Sequence, residues 1–155
     1  MGGARGVFSG AARIFAALSA VIALASCGMP HDPGRTEDNI RKRGTVILGE
    51  VEGAAPDPAS RRQLARAASA LGATVTRVPG HGEELLTGLE EGHFDIVYGE
   101  FADDSPWAMH VHFGQPATRE GKPGKSERLP RFAFRNGENG WILRVEEAGM
   151  KERGQ

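Results

Sequence analysis

The chain has 155 residues, a formal net charge of −1, 22 glycines, 9 prolines and one cysteine. That charge balance excludes the strongly basic surface with which a protein meets nucleic acid, and a lone cysteine excludes an intrachain disulfide. Glycine and proline at this level argue against a helical bundle and for an α/β domain with many tight connections.

In chain order, Arg5 and Arg13 are the charges of an N-terminal stretch without acids, and an apolar run over residues 14–24 follows. A transmembrane helix needs about twenty apolar residues to cross ~30 Å of hydrocarbon, so the run is too short to span a bilayer. Positive start, apolar middle and small residues before Cys27 are the marks of an export signal. Leu24-Ala25-Ser26-Cys27-Gly28 resembles the lipobox of bacterial lipoproteins, in which the cysteine becomes the first mature residue and carries acyl chains. That resemblance implies a signal peptide over 1–26, lipidation of Cys27 and a water-facing domain held at the cell envelope by its lipid. The alternative is an ordinary cleaved signal with Cys27 as a bystander thiol.

Residues 27–35, polar and containing Pro30, Pro33 and Gly34, suit a tether. The remainder, 36–155, is long enough for one domain and too short for two. Thr36 is placed to cap a helix through Arg43, with Glu37 and Asp38 in its first turn, and Gly44 ends it. Residues 45–49 (TVILG) form a continuous apolar, β-branched run, the mark of a strand covered on both faces, and are read as the central strand.

Asp57 and Pro58 predict a helix N-cap and first turn, Leu64, Ala68 and Leu71 recur at helical spacing, and Gly72 is the stop. Residues 73–78 alternate apolar side chains with threonines and Arg77, as an edge strand does. The turn Pro79-Gly80-His81-Gly82 leads into a helix over 83–91 with Leu85, Leu86 and Leu89 on one face and Gly92 at its end. Residues 94–98 (FDIVY) are a third strand. Strand and helix alternating in so few residues predict right-handed crossovers and an open, mainly parallel sheet with flanking helices.

Residues 40–49, residues 85–97 (with the run Leu89-Glu90-Glu91-Gly92-His93-Phe94-Asp95-Ile96-Val97) and Phe113-Gly114-Gln115-Pro116 together resemble lobe 1 of the periplasmic solute-binding proteins of polar amino-acid ABC transporters, of type II architecture. In that family a second lobe follows. Here a short loop, 117–130, stands in its place, and residues 131–137 resemble the strand that returns to lobe 1, with Trp141, Val145 and Ala148 on the helix after it. The resemblance implies a single-lobe relative, a small polar solute as ligand, a transporter permease as partner and a non-catalytic accessory or sensor role. In an ungapped alignment from Asp95, the family's ligand-carboxylate arginine falls at Trp107. The competing expectation is an envelope protein that has lost solute binding and docks a protein partner.

Ligands of open parallel sheets bind at the carboxyl ends of the strands. Candidate ligand-binding residues are therefore Glu50 and Glu52 after the first strand and Gly99, Glu100, Asp103, Asp104 and Trp107 after the third. Trp107 is either a stacking surface or an anchor holding its loop against the returning helix.

Four weaker patterns complete the survey. His110 and His112 lie two apart on a predicted strand and would share a face, with His93 or an acid as a third ligand, but structural zinc needs four. Gly80-His81-Gly82 before a helix lacks the lysine and hydroxyl of a phosphate loop, and Ser105 lacks a nucleophile turn. Glu83 and Glu84 suit the dipole of a helix's first turn rather than a catalytic pair. Arg119, Lys122, Lys125, Arg128 and Arg131 read as a solvated basic stretch around the missing lobe. No cofactor, metal, nucleic-acid partner or catalytic residue is expected.

Overall fold

The computed structural model describes residues 32–116 and 124–153; Cys27, the export signal, Arg119 and Lys122 lie outside the described residues. The elements run α1 (Thr36–Arg43), β1 (Thr45–Val51), α2 (Pro58–Ser69), β2 (Thr74–Gly80), α3 (Gly82–Glu91), β3 (Ile96–Phe101), a 3-10 turn (Pro106–Met109), β4 (Val111–Phe113), β5 (Leu129–Arg135) and α4 (Asn139–Arg153). The strands form one sheet in the order β2-β1-β3-β5-β4. β1 pairs in parallel with β2 and β3, while β5 runs antiparallel to both β3 and β4. The predicted α/β class with an open sheet and flanking helices is the observed one. β1 lies in the middle of the three parallel strands, but the centre of the whole sheet is β3, because β5 and β4 extend it on the far side.

Period-two alternation divides the core between the two faces of the sheet. Val46, Leu48, Ile96, Tyr98, Phe132 and Phe134 face α2 and α4 and bury Leu64, Ala68, Trp141 and Val145. Val97, Phe101 and Ala133 face α3 and bury Leu85, Leu86 and Leu89. The three positions predicted for the returning helix, Trp141, Val145 and Ala148, are all buried on α4. Gln63 joins the two helices of the first face, its Nε2 donating to the Val145 carbonyl at 2.9 Å. β2 is largely exposed, as an edge strand, and carries Pro79 at a position where no neighbouring strand needs its missing N–H.

The local signals act as expected, with one substitution of parts. Asp57 accepts from the backbone N–H groups of Ala59 (2.7 Å) and Ser60 (3.0 Å) at the start of α2. Gly44 and Gly92 follow α1 and α3 with φ of 70° and 85°, a left-handed conformation that glycine adopts without a Cβ clash. Thr36, however, is not the cap of α1. The N-cap position belongs to Arg35, Thr36 is buried, and Thr36 Oγ1 accepts from Arg135 Nη2 at 2.8 Å. The capping acceptor is the carboxylate of Glu138, which takes the N–H of Gly34 and, at 2.9 Å, that of Thr36.

Residues 32–35, expected as the end of a tether, are docked on the lobe. Asp32 accepts from the N–H groups of Gly140 (2.9 Å) and Trp141 (3.3 Å) and so caps α4. Among the described residues no helix is long and apolar enough to cross a membrane.

Candidate functional site

All three parallel strands run past their predicted ends, β2 taking in Pro79 and Gly80 of the predicted turn, and in β1 and β3 this relocates three of the candidate residues. β1 runs to Val51, so Glu50 lies within it, opposite Tyr98 on one side and Pro79 on the other. By alternation Glu50 shares the α2 face with Leu48; it is half-buried, and its Oε2 is buried without a hydrogen-bond partner. β3 runs to Phe101 because β5 pairs along its length, Gly99 with Arg131, Glu100 with Pro130 and Phe101 with Leu129. Gly99 is therefore a strand residue with a packing role. A Cβ there would stand 2.7 Å from Val51 Cγ2 and 2.8 Å from Phe101 Cζ, so Val51 and Phe101 would have to shift to admit a side chain.

A cleft of about 500 Å³ opens where β3 ends beside the start of α3. Its walls are Gly82, Glu83 and Leu86 from α3, Glu100, Phe101 and Ala102 from the end of β3, Ser105, Pro106 and Trp107 from the 3-10 turn, and Ser126 and Arg128 from the segment before β5. This is the carboxyl end of the parallel strands, where ligands of such sheets bind. Of the predicted residues, Glu100 and Trp107 line it. Asp104 stands behind it, accepting from the hydroxyl of Ser126, and Asp103 accepts from Arg131 Nη1. Glu50 and Glu52 are not brought to it. Glu52 is exposed with Oε2 3.8 Å from His81 Nδ1.

Trp107 is partly buried and packs against the α3-side cluster of Leu86, Phe101 and Val111 rather than against α4, correcting one expectation for it. Ser105 Oγ accepts from Trp107 N at 3.3 Å and holds the 3-10 turn, so this hydroxyl is spent on the backbone. Arg128 Nε donates to the Glu100 carbonyl at 3.2 Å and ties the returning segment to the end of β3. Two acids, one arginine and an indole thus share a concave wall, with net negative charge.

Arg131 departs from the solvated basic stretch expected of it. It is the third residue of β5 and buried, whereas Lys125 and Arg128 are exposed. The histidines do not converge. His110 Nδ1 lies 3.2 Å from Glu90 Oε1, His112 lies against the Phe134 ring, and His93 sits beside Glu91. Among the described residues no group of three His, Cys, Asp or Glu side chains is placed to hold a metal ion.

On the α2 face of the sheet, Asp57 gathers a small polar network. Ser60 Oγ donates to Asp57 Oδ2 at 2.8 Å and Tyr98 Oη donates to it at 3.2 Å. Burial pushes the Asp57 carboxyl up, but the hydrogen bonds from Ser60, Ala59 and Tyr98 outweigh it and hold the group below its ordinary value. Burial, assisted by the Asp57 charge, pushes the Tyr98 hydroxyl up.

Sequence reasoning missed Glu83 as a wall residue, and Leu86, Phe101, Ser126 and Arg128. The signal for Ser126 and Arg128 was the returning strand itself: once β5 pairs with β3, the residues just before it must pass the end of β3.

No protein-family model matches the sequence, and no curated protein does. Solved structures share the fold. The arginine-bound form of domain 1 of TmArgBP, an arginine-binding protein from T. maritima, superposes with a TM-score of 0.60 at 18% identity, over 74% of this chain and 98% of that one. An amino-acid ABC transporter substrate-binding protein from Streptococcus pneumoniae, bound to L-arginine, gives 0.63 at 9% identity over 77% and 92%. The ancestral amino-acid-binding protein AncCDT-1, a precursor of cyclohexadienyl dehydratase, gives 0.59 at 17% identity over 77% and 94%. The fold is that of a single lobe of a solute-binding protein.

Proposed function

We propose that this chain is a lipid-anchored, non-catalytic solute-binding lobe that takes a small cationic polar solute, of the amino-acid class, at the bacterial envelope. The observation that carries the reading is the cleft at the carboxyl end of β3, which Glu83, Glu100 and Trp107 line together. An ammonium or guanidinium group suits that wall, since carboxylates supply charge-assisted acceptors and an indole face attracts a cation. The domain 1 structure of TmArgBP is an arginine-bound form of one domain. In that protein a lobe without its partner holds its solute.

The export and lipidation reading rests on Arg5, Arg13, the apolar run and Cys27 in the sequence. It makes the lobe a membrane-attached accessory or sensor for a transporter permease. Loss of the protein from the membrane fraction in a Cys27→Ser variant is the expected result.

Titration with L-arginine tests the binding reading. Saturating binding, a change in Trp107 emission that a Trp107→Phe variant lacks, and a stabilisation of about 2.7 kcal/mol at a hundredfold excess over Kd are expected. Absence of any thermal stabilisation by cationic amino acids, together with copurification of an envelope protein, would favour the docking alternative.

A further inference from the structure

The last residues of the expected tether are built into the lobe, and all of their fastenings lie at one end of the sheet. Asp32 accepts from the Gly140 and Trp141 N–H groups at the start of α4, and Glu138 accepts from those of Gly34 and Thr36. A Cβ on Gly34 would run into the Arg135 guanidinium, so a side chain there would displace it. Arg35 holds φ at 52°, a left-handed conformation that residues other than glycine seldom adopt and that persists where surrounding contacts fix it. The place is the amino end of the parallel strands: α4 follows the end of the antiparallel β5, and Trp141 Nε1 donates at 3.0 Å to the carbonyl of Asp95, just before β3. The cleft lies at the opposite end.

We propose that this docked strap sets the orientation of the lipid-anchored lobe. Its amino-end face is the surface that meets the headgroups of the membrane holding the lipid, and the cleft opens away from them into water. The inference rests on the lipidation of Cys27. Four residues, 28–31, separate Cys27 from Asp32. Fully extended, the steps between them reach ~18 Å, while the seven residues of β1 alone span ~23 Å. A lipid on Cys27 therefore stays on the amino-end side and cannot be carried round to the cleft. Were residues 32–35 free, the chain from Cys27 to Thr36 would reach ~32 Å, enough for the lobe to turn over. Charge does not set the orientation, since Arg41 and Lys42 share that end with Glu90 and Glu91, all exposed. A protein partner that receives or delivers the solute accordingly meets the cleft from the aqueous side.

The test uses the acylated protein in phosphatidylcholine vesicles whose headgroups carry an acceptor dye. With Cys27 blocked by its lipid, a second cysteine takes a donor dye at the amino end, in Lys42→Cys, or beside the cleft, in Lys125→Cys; both positions are exposed. Energy transfer several-fold stronger from position 42 than from position 125 is expected. Inserting about twelve Gly and Ser residues after Gly28 leaves the lobe untouched and lengthens the tether past the sheet, so the two signals should converge. Equal transfer from the two positions without the insertion, or a difference that survives it, overturns the proposal. Protein that carries no acyl chain by mass and stays off the vesicles overturns the lipidation reading, and the orientation with it. If a label at 42 or 125 disturbs the fold, Arg41→Cys and Ser126→Cys take their places with the same criteria.

Discussion

At the amino end of the parallel strands, Asp95 accepts from the Ile47 N–H at 2.7 Å and from Arg43, and Glu138, 1% exposed, accepts from the N–H groups of Gly34 and Thr36. At the carboxyl end, Glu50 Oε2 is buried without a partner, Glu100 is exposed on the cleft wall, and Asp103 leans from solvent onto Arg131. Carboxylates thus serve opposite purposes at the two ends of one sheet. Those at the amino end satisfy backbone donors that helix starts, and the part of β1 before its pairing with β3, would otherwise leave open. Those at the carboxyl end have bonding capacity left over, which is what a ligand site requires. Asp57 is the exception at the carboxyl end, since all its bonds go to α2 and Tyr98.

The largest expected effect lies at the amino end. Glu138→Ala should lower unfolding free energy by about 3 kcal/mol, because it strips a buried acceptor from two N–H groups and leaves Arg135 without its carboxylate. Urea denaturation measures it, and a loss under 1 kcal/mol would remove the contrast between the two ends.

Asp57→Ala should cost about 1 kcal/mol, the ordinary value of an N-cap. Because the folded carboxyl lies below its unfolded value of 3.8, its contribution is complete above that pH and is lost as pH falls below it, through the folded value. The stability gap between wild type and variant should therefore close in acid. A gap that persists at pH 2 would place the effect in packing rather than in charge.

The smallest stability effect belongs to Glu100→Gln, within about 0.5 kcal/mol of wild type, as for an exposed acid without a structural bond from its side chain. The same variant should weaken L-arginine binding several-fold. Substantial unfolding with unchanged binding would assign Glu100 to the amino-end type and undo the division.

Particular residues show how far the sequence carried. The leucines at 85, 86 and 89 and the apolar positions 64, 68, 141, 145 and 148 were legible as helix faces, because a 3.6-residue period is written within a single segment. The edge position of β2 was legible from its threonines and Arg77. Two residues of the cleft wall were legible as well, since Glu100 and Trp107 lie at and just beyond the end of a strand that the pattern located to within a few residues.

What escaped depended on pairing between distant segments. Nothing near Thr36 in the sequence says that Glu138 caps its helix, because the two are 102 residues apart and meet only through the folded sheet. Gly99 became a packing position rather than a ligand contact when antiparallel pairing with β5 lengthened β3. The same register buries Arg131, which read as one member of an exposed basic run.

By itself, then, the sequence determined the order of the elements, the Asp57 cap of α2, the glycine stops of α1 and α3, and which face of each helix is apolar, since these follow from φ, ψ and side-chain preferences of neighbours along the chain. Tertiary structure alone decided which charges are buried, which carboxylates keep unused acceptors and which walls meet at the cleft. Those outcomes follow from dielectric surroundings and sheet register, and neither exists until β5 has closed against β3.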